Sequence, residues 1–301
     1  MLETSMLERT PRRYELMGAL PFVVAHLAVL GVFWSGVTMA AVWCGIGLYW
    51  LRMFAVTAGY HRYFAHRTFK TSRVAQFVLA FLAQTSAQKG VLWWASHHRR
   101  HHALTDRPGD LHSPRQDGLF YAHVGWIFNH TSETNWNGIR DFARFPELRL
   151  LNRFPLAPAI LLAAAVTFWL GWPGLFVGFF ASTVVLWHAS FTINSLAHRI
   201  GRRRFQTHDN SRNNVWLALL TMGEGWHNNH HRFVGTARQG FYWYEVDATY
   251  YLLRGLAWLG IVWELRPVPQ RILDEGRHHE VATARPPQSA VALAADGGGR
   301  R

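Results

Sequence analysis

Apolar positions in this chain come in long unbroken runs rather than in the short alternations of a soluble fold. Leu16 to Trp34 is apolar apart from His26, and Val37 to Val56 is apolar apart from Thr38 and Arg52. Each run is close to the ~20 residues that a helix needs to cross the hydrocarbon core of a bilayer. Only Ser35-Gly36 separates them, which predicts a tight helical hairpin. A second pair, Leu156 to Trp172 and Leu175 to about Ala197, is broken by Pro173-Gly174 and predicts a second hairpin. A soluble core hairpin is the competing reading of either pair, and two adjacent runs of this length argue against it. Between the pairs, Val74 to Ala95 is apolar but interrupted by Gln76, Gln84, Gln88 and Lys89. That pattern predicts an amphipathic helix lying on the interface or dipping into it. Residues 103–155 carry turn formers and charge and read as a polar cap, and the aromatic stretch 240–265 suits a further interfacial helix. From about Val281 the Ala, Pro, Gly and Arg composition predicts a disordered tail.

Charge orients the hairpins. Lys and Arg fall before the first pair, between the pairs and after the second, while both tips are uncharged. By the positive-inside rule, all three polar regions are cytoplasmic. The expected fold is an all-α integral membrane protein, with four transmembrane helices in two hairpins and a cytoplasmic helical cap. Its divisions are a cytoplasmic N-terminal segment (1–15), hairpin one (16–56), a first cap segment (57–155), hairpin two (156–198), a second cap segment (199–280) and the tail (281–301). The net charge of +13 suits either nucleic acid or an anionic membrane surface, and the apolar runs select the bilayer. Cys44, the single cysteine, lies in an apolar run, which excludes a disulfide framework and a cysteine metal site. No cleavable signal peptide is expected, because the first run leads straight into the second. Arg52 sits about nine residues before His61, ~13 Å deeper along a helix. It needs an acidic or carbonyl partner, or a path by which it snorkels to the interface.

The histidines change the picture. Ser96-His97-His98-Arg99-Arg100-His101-His102 packs four of them into six residues, and His98, His101 and His102 stand at i, i+3 and i+4 on one helical face. Three imidazoles together repel one another if protonated and pack poorly if neutral, and a transition metal resolves both. Three more groups follow the same logic: His61 with His66, Asn194 with His198 at i, i+4, and His227 with His230 and His231, which repeat the H-x-x-H-H spacing. All four fall on the cytoplasmic side of a topology derived without them. His61 and His66 are five apart, about 140° around an α-helix, so they are expected to serve two metals or to sit where the helix ends. Nine histidines (61, 66, 98, 101, 102, 198, 227, 230, 231) with Asn194 are too many for one ion and suit two. The remaining histidines read as structural. His97 points off the ligand face, His26 and His188 hydrogen-bond within the bundle, His112, His123, His130 and His208 are outer-sphere or surface residues, and His278-His279 is solvated.

The chain offers no G-x-S-x-G, phosphate loop or H-E-x-x-H, so no catalytic residue is expected beyond the metal centre. Imidazole ligation suits Zn, Cu, Fe or Ni. Hydrolytic zinc needs about three ligands, not nine. Two redox metals at a membrane face instead point to oxygen activation on a lipid-like substrate, with iron as the ion.

At this point the chain resembles the membrane fatty acyl desaturases, specifically the stearoyl-CoA Δ9 branch. The boxes H-x-x-x-x-H, H-x-x-H-H, N-x-x-x-H and H-x-x-H-H occur in that order around two hairpins. Thr57-Ala-Gly-Tyr-His-Arg-Tyr-Phe-Ala-His-Arg, His123-Val-Gly-Trp126 and Gly223-Glu-Gly-Trp-His-Asn-Asn-His-His are similar beyond the histidines, over roughly residues 15–260. The resemblance implies two Fe ions held by the nine histidines, with Asn194 contacting one through water. It implies O2-dependent removal of two hydrogens from a saturated long-chain acyl-CoA in a bent tunnel. Arg62, Arg67, Lys70, Lys89 and Arg99 are then candidates for the CoA phosphates. No fused haem electron carrier is recognisable, so a separate donor is expected, such as a ferredoxin with its reductase, docking on the Arg-rich face. Two other readings remain. A di-iron hydroxylase or alkane monooxygenase would deliver oxygen instead of taking a second hydrogen. A non-catalytic metal-binding or transport protein would spread ligands along the spans, where only His26 and His188 lie deep.

Overall fold

The computed structural model describes residues 16–129 and 133–284. The expectations for residues 1–15, for His130 and for the tail beyond 284 lie outside that range. Among the described residues, three helices are long and apolar enough to cross a membrane: Gly18–Ser35, Met39–Ala65 and Ala157–His198. Their outer surfaces are apolar, with Phe33 89% and Phe168 80% exposed beside Trp43 and Trp169. In water such a surface would be a large apolar patch, and against lipid it is ordinary.

The break at Ser35-Gly36 is where the sequence placed it. The short helix Val32–Ser35 ends at Gly36, whose φ of 72° favours a residue without Cβ, and Thr38 Oγ1 caps the next helix by accepting from Ala41 N at 3.2 Å. The third apolar helix is folded back on itself. Gly171 has φ 65° and ψ −159°, a region open essentially to glycine alone. A Cβ built on Gly178 would lie 3.3 Å from Val166 Cγ1, whereas residues twelve apart in a straight helix are ~18 Å apart. The reversal is therefore at Gly171, two residues before the predicted Pro173-Gly174, and Pro173 instead opens the returning half, where its missing N–H is least costly. Gly45 and Gly178 bring that half close to Met39–Phe54, since a Cβ on Gly45 would meet Val177 O at 3.2 Å.

Two features depart from the expected cap. Val74 to Ala95 is two helices, Arg73–Gln84 and Val91–Leu104, parted by left-handed Ala87 (φ 56°) and Lys89 (φ 67°). Gln84 holds the break together: its Oε1 accepts from Val91 N at 3.0 Å and its Nε2 donates to Leu151 O at 3.0 Å. The final helix, Gln270–Ala284, also continues four residues into the stretch read as tail. Arg52 finds its partners inside the bundle. Its guanidinium donates to Thr183 Oγ1 and Ser182 Oγ, both at 2.6 Å, and to Leu48 O at 3.0 Å, so hydroxyls and a carbonyl satisfy it without an acid. The cap core joins Tyr60, Phe64, Leu92, Ile139, Leu148 and Leu253 around the histidine-bearing elements.

Candidate metal centre

His61 and His66 sit at the end of a π-helix, Ala55–Ala65, that continues Met39–Phe54 without a break. Its i→i+5 bonds, including His66 N to His61 O at 3.1 Å, stack residues five apart almost above one another. The two ring centroids are 4.8 Å apart. Of the two expected outcomes the pair takes the second, with His66 capping the helix end, and the π pitch, in place of the assumed α-helical pitch, brings the two rings together.

Both H-x-x-H-H boxes divide in the same way. In Val91–Leu104, His98 and His102 turn to one side and His101 to the other; in His227–Arg232, His227 and His231 turn together and His230 apart. The i, i+4 pairs share a face and the intervening i+3 residue straddles to the neighbouring one, so the single ligand face read from the opening box is really two. The result is two clusters: His61, His66, His98, His102 and His230, and His101, His198, His227 and His231, each with nitrogens within 4.8 Å of one another.

Within the first cluster the Nε2 atoms run in a chain, His61 to His230 at 3.0 Å, His230 to His102 at 3.0 Å, His102 to His98 at 3.0 Å and His98 to His66 at 3.1 Å. In the second, His198 and His227 Nε2 are 3.0 Å apart. An ion binding imidazoles at ~2.1 Å and right angles sets their nitrogens ~3.0 Å apart. On four of the nine histidines the outward nitrogen explains why the inward one carries a lone pair. His101 Nδ1 lies 2.8 Å from Asp110 Oδ1, His231 Nδ1 2.9 Å from Asp209 Oδ2, and His198 Nδ1 3.2 Å from Asp106 Oδ2; His61 Nδ1 faces Glu224. A carboxylate acceptor keeps the proton on Nδ1 and leaves Nε2 bare. His231 Nε2 is accordingly buried with no hydrogen-bond partner. Bare nitrogens converging at 3 Å repel, and a cation among them removes the repulsion, so the donor set fits two transition ions.

Electrostatics holds five of the imidazoles neutral, whereas at His101 the burial that would lower it is outweighed by Asp110, and it is raised. Burial, reinforced by neighbouring imidazoles, pushes His98, His102, His227 and His230 well below the ordinary histidine range and His231 to about 4. Asp106 is held at about 2 although burial opposes it, because His198 and Ser113 hydrogen-bond its carboxylate. Asp106 and Asp110 escaped the sequence reading, which took Asp106-Arg-Pro-Gly-Asp110 for turn formers and charge in a polar cap. Their signal was the proximity of that turn to the opening box. His112, placed outside the ligand set, lies against His101 with centroids 4.4 Å apart and has an unpartnered, buried Nδ1.

A cavity of about 260 Å³ borders the first cluster, lined by His98, His112 and Asn194 on one side and by Phe22, Trp187 and Phe191 among its apolar walls. Asn194 thus stands on the cavity wall. The chain tightens from α-helix Ser182–Ser195 to a 3-10 turn at Leu196–His198, so Asn194 and His198 lose the i, i+4 register assumed for them. His97 stacks on Trp93 with its Nδ1 2.9 Å from Trp93 O, outside both clusters. His26, His188 and His123 form a separate hydrogen-bonded series, Nε2 to Nε2 at 3.0 Å and then His188 Nδ1 to His123 Nε2 at 3.0 Å.

Of the basic residues assigned to phosphates, two are engaged by the protein itself. Arg62 is buried and bridges Asp247 at 3.0 Å and Glu224 at 3.2 Å; Arg99 grips both Asp141 oxygens at 2.9 Å and the carbonyls of Phe64 and Ala65. Both act as struts of the cap. Lys70 pairs with Glu264 at 2.7 Å, Arg67 is mostly exposed, and Lys89 alone of the five lines the cavity.

Known proteins match this arrangement. The family model described as fatty acid desaturase matches residues 34–263. A hex-5-enoyl acyl-carrier-protein acetylenase from Moorena producens is 35% identical over 87% of this chain and 88% of its own. An acyl-CoA 5-desaturase from Anemone leveillei is 35% identical, covering 80% of this chain and 73% of the relative. An sn-2 palmitoyl-lipid 9-desaturase from a Nostoc species is 35% identical over 73% of this chain and 80% of the relative. These names span different carriers and positions, so what they share is broader than the stearoyl-CoA branch. Apolar helices, paired histidine clusters and these relatives lead to one conclusion: the chain is a membrane protein of the fatty acid desaturase family, whose members use di-iron centres.

Proposed function

We propose that the protein is an O2-dependent desaturase that places a cis double bond at the Δ9 position of a saturated long-chain acyl-CoA. One observation carries the reading: His98 belongs both to the five-histidine cluster and to the wall of the apolar cavity, so a methylene in that cavity abuts the cluster. The balanced reaction takes two hydrogens from the chain and two electrons with two protons from outside, and reduces O2 to two waters. The nine histidines would hold two irons, with Asn194 beside them, and bound iron supplies the oxygen-activating chemistry that a strong C–H bond requires. The protein's own share is positioning. Phe22, Trp187 and Phe191 fix the chain and exclude water, the four carboxylates hold His61, His101, His198 and His231 in one tautomer, and Lys89 offers a cation at the cavity for a carrier phosphate. The Δ9 assignment rests on the sequence resemblance and accords with the name of the Nostoc relative; the CoA carrier accords with that of the Anemone relative. In this reading the folded-back third helix supplies two spans, giving four in two hairpins, and the cap faces the cytoplasm, where a separate donor such as ferredoxin docks.

Fatty-acid analysis of a host expressing the protein tests this directly. Monoenes at carbon nine are expected, and a hydroxylated product without alkene would instead establish the hydroxylase. Incubating the membranes with stearoyl-CoA, reductant and O2 tests the carrier. An unchanged product profile after His101→Ala would sink any catalytic reading.

A further inference from the structure

A second cavity, about 270 Å³, shares no lining residue with the first. Its charged lining is Arg67, Lys70, Arg73, Arg144, Arg266 and Asp141, over a floor that includes Phe69, Phe145 and Trp263. Most of the negative charge nearby is spoken for. Asp141 gives both oxygens to Arg99, Glu264 pairs with Lys70, and Glu147 takes Arg73 at 2.7 and 2.8 Å. Arg67 comes no closer than 3.6 Å to Asp141, Arg144 rests over the Phe145 ring at 4.8 Å, and Arg266 has no ion pair among the described residues. Three arginines therefore line one cavity with little compensating charge, which suits an oxyanion.

The surroundings choose the anion. Lys70 pairs with Trp263 and Thr71 with Val262 in a two-residue antiparallel ladder. The helix beginning at Arg73 turns Val74 (74% exposed), Phe77 and Val78 outward, and the chain leading to the ladder exposes Trp258 (88%), Leu259 and Ile261. Two apolar surfaces thus meet at a cationic pocket. Docking of a soluble acidic protein calls for a polar rim, and this rim is apolar, whereas at a bilayer the aliphatic and Trp side chains enter the acyl region and the cations lie among headgroups.

We propose that this cavity binds the phosphodiester headgroup of an anionic phospholipid, with acyl chains lying against Val74, Ile261 and Trp263. The site needs only the membrane placement of the cap and is independent of the substrate and regiochemistry proposed above. Phosphatidylglycerol titrated into the iron-loaded protein in neutral detergent, followed by native mass spectrometry, should show one saturable lipid per chain, with no matching phosphatidylcholine adduct. Arg144→Gln combined with Arg266→Gln should weaken it about 30-fold, with iron content and desaturation unchanged. If the pair loses iron, Arg266→Gln alone makes the same comparison and should weaken it about fivefold. Equal lipid binding by wild type and variant overturns the proposal. So does competition by soluble glycerophosphate as strong as that of the lipid, which would make this a free-phosphate site. A raised KM for an acidic ferredoxin with lipid binding unchanged would make it a protein-docking surface instead.

Discussion

Asp110 shows how much of the site is carried by residues that are not themselves ligands. Its Oδ1 fixes His101 and its Oδ2 accepts from Asp106 N at 2.9 Å, so one carboxylate ties the box helix to the turn that follows. Asp110→Ala should lower iron affinity about 10–100-fold, read as iron retained against a chelator, and Asp110→Asn should recover part of it. Arg62 makes the opposite point. Sequence placed it beside a ligand and suggested phosphate binding; the fold buries it between Glu224 and Asp247. Arg62→Met would strand two buried carboxylates at a cost of about 3–5 kcal/mol. A large fall in the thermal midpoint in detergent is expected, with the KM for acyl-CoA unchanged in whatever folds. The converse, a raised KM at normal stability, would restore the phosphate role.

At the scale of elements, hydropathy located helices well and their pitch and breaks less well. The apolar runs at 16–34 and 37–56 became helices because only His26, Thr38 and Arg52 interrupt them and a glycine is available at the turn. The π-helix at 55–65 was illegible, since nothing in Ala-Val-Thr-Ala-Gly-Tyr-His distinguishes i→i+5 from i→i+4 bonding. It is set by packing: all eleven residues are buried, and Tyr60 and Thr57 reach Lys89 O and Thr249 Oγ1 at 2.8 and 2.7 Å. The break at Ala87–Lys89 was likewise invisible, because two non-glycine residues adopt positive φ under tertiary constraint. Gly171 tests this scale. Gly171→Ala puts a Cβ where only glycine is comfortable, at about 1–3 kcal/mol, and should lower the melting temperature while leaving the product profile intact.

For the whole molecule, the histidines join elements from residue 61 to residue 231 into one cap. Removing iron should therefore loosen the cap as a unit: a ligand that binds only the folded state stabilises it, and its loss lowers the melting temperature. Thermal unfolding before and after reduction and chelation checks this, and identical curves would mean the clusters hold no ion that matters to the fold. Topology is open to the same kind of check. A cysteine introduced at Ser35 or Trp172 should react with an impermeant thiol reagent added to intact cells, and one introduced at Glu264 should react only after lysis.

Sequence alone determined which stretches are apolar enough for a membrane, that histidines gather in spaced boxes in the polar segments beside those stretches, and hence that a two-metal oxidative site was the reading to test. Those conclusions depend on residue type and local spacing, which the chain carries in one dimension. Tertiary structure decided how nine imidazoles divide into five and four, which carboxylates orient them, and which arginines became struts. Each depends on groups distant in the chain, such as His61 with His230 and His198 with Asp106, that meet only when helical pitch and packing bring them together.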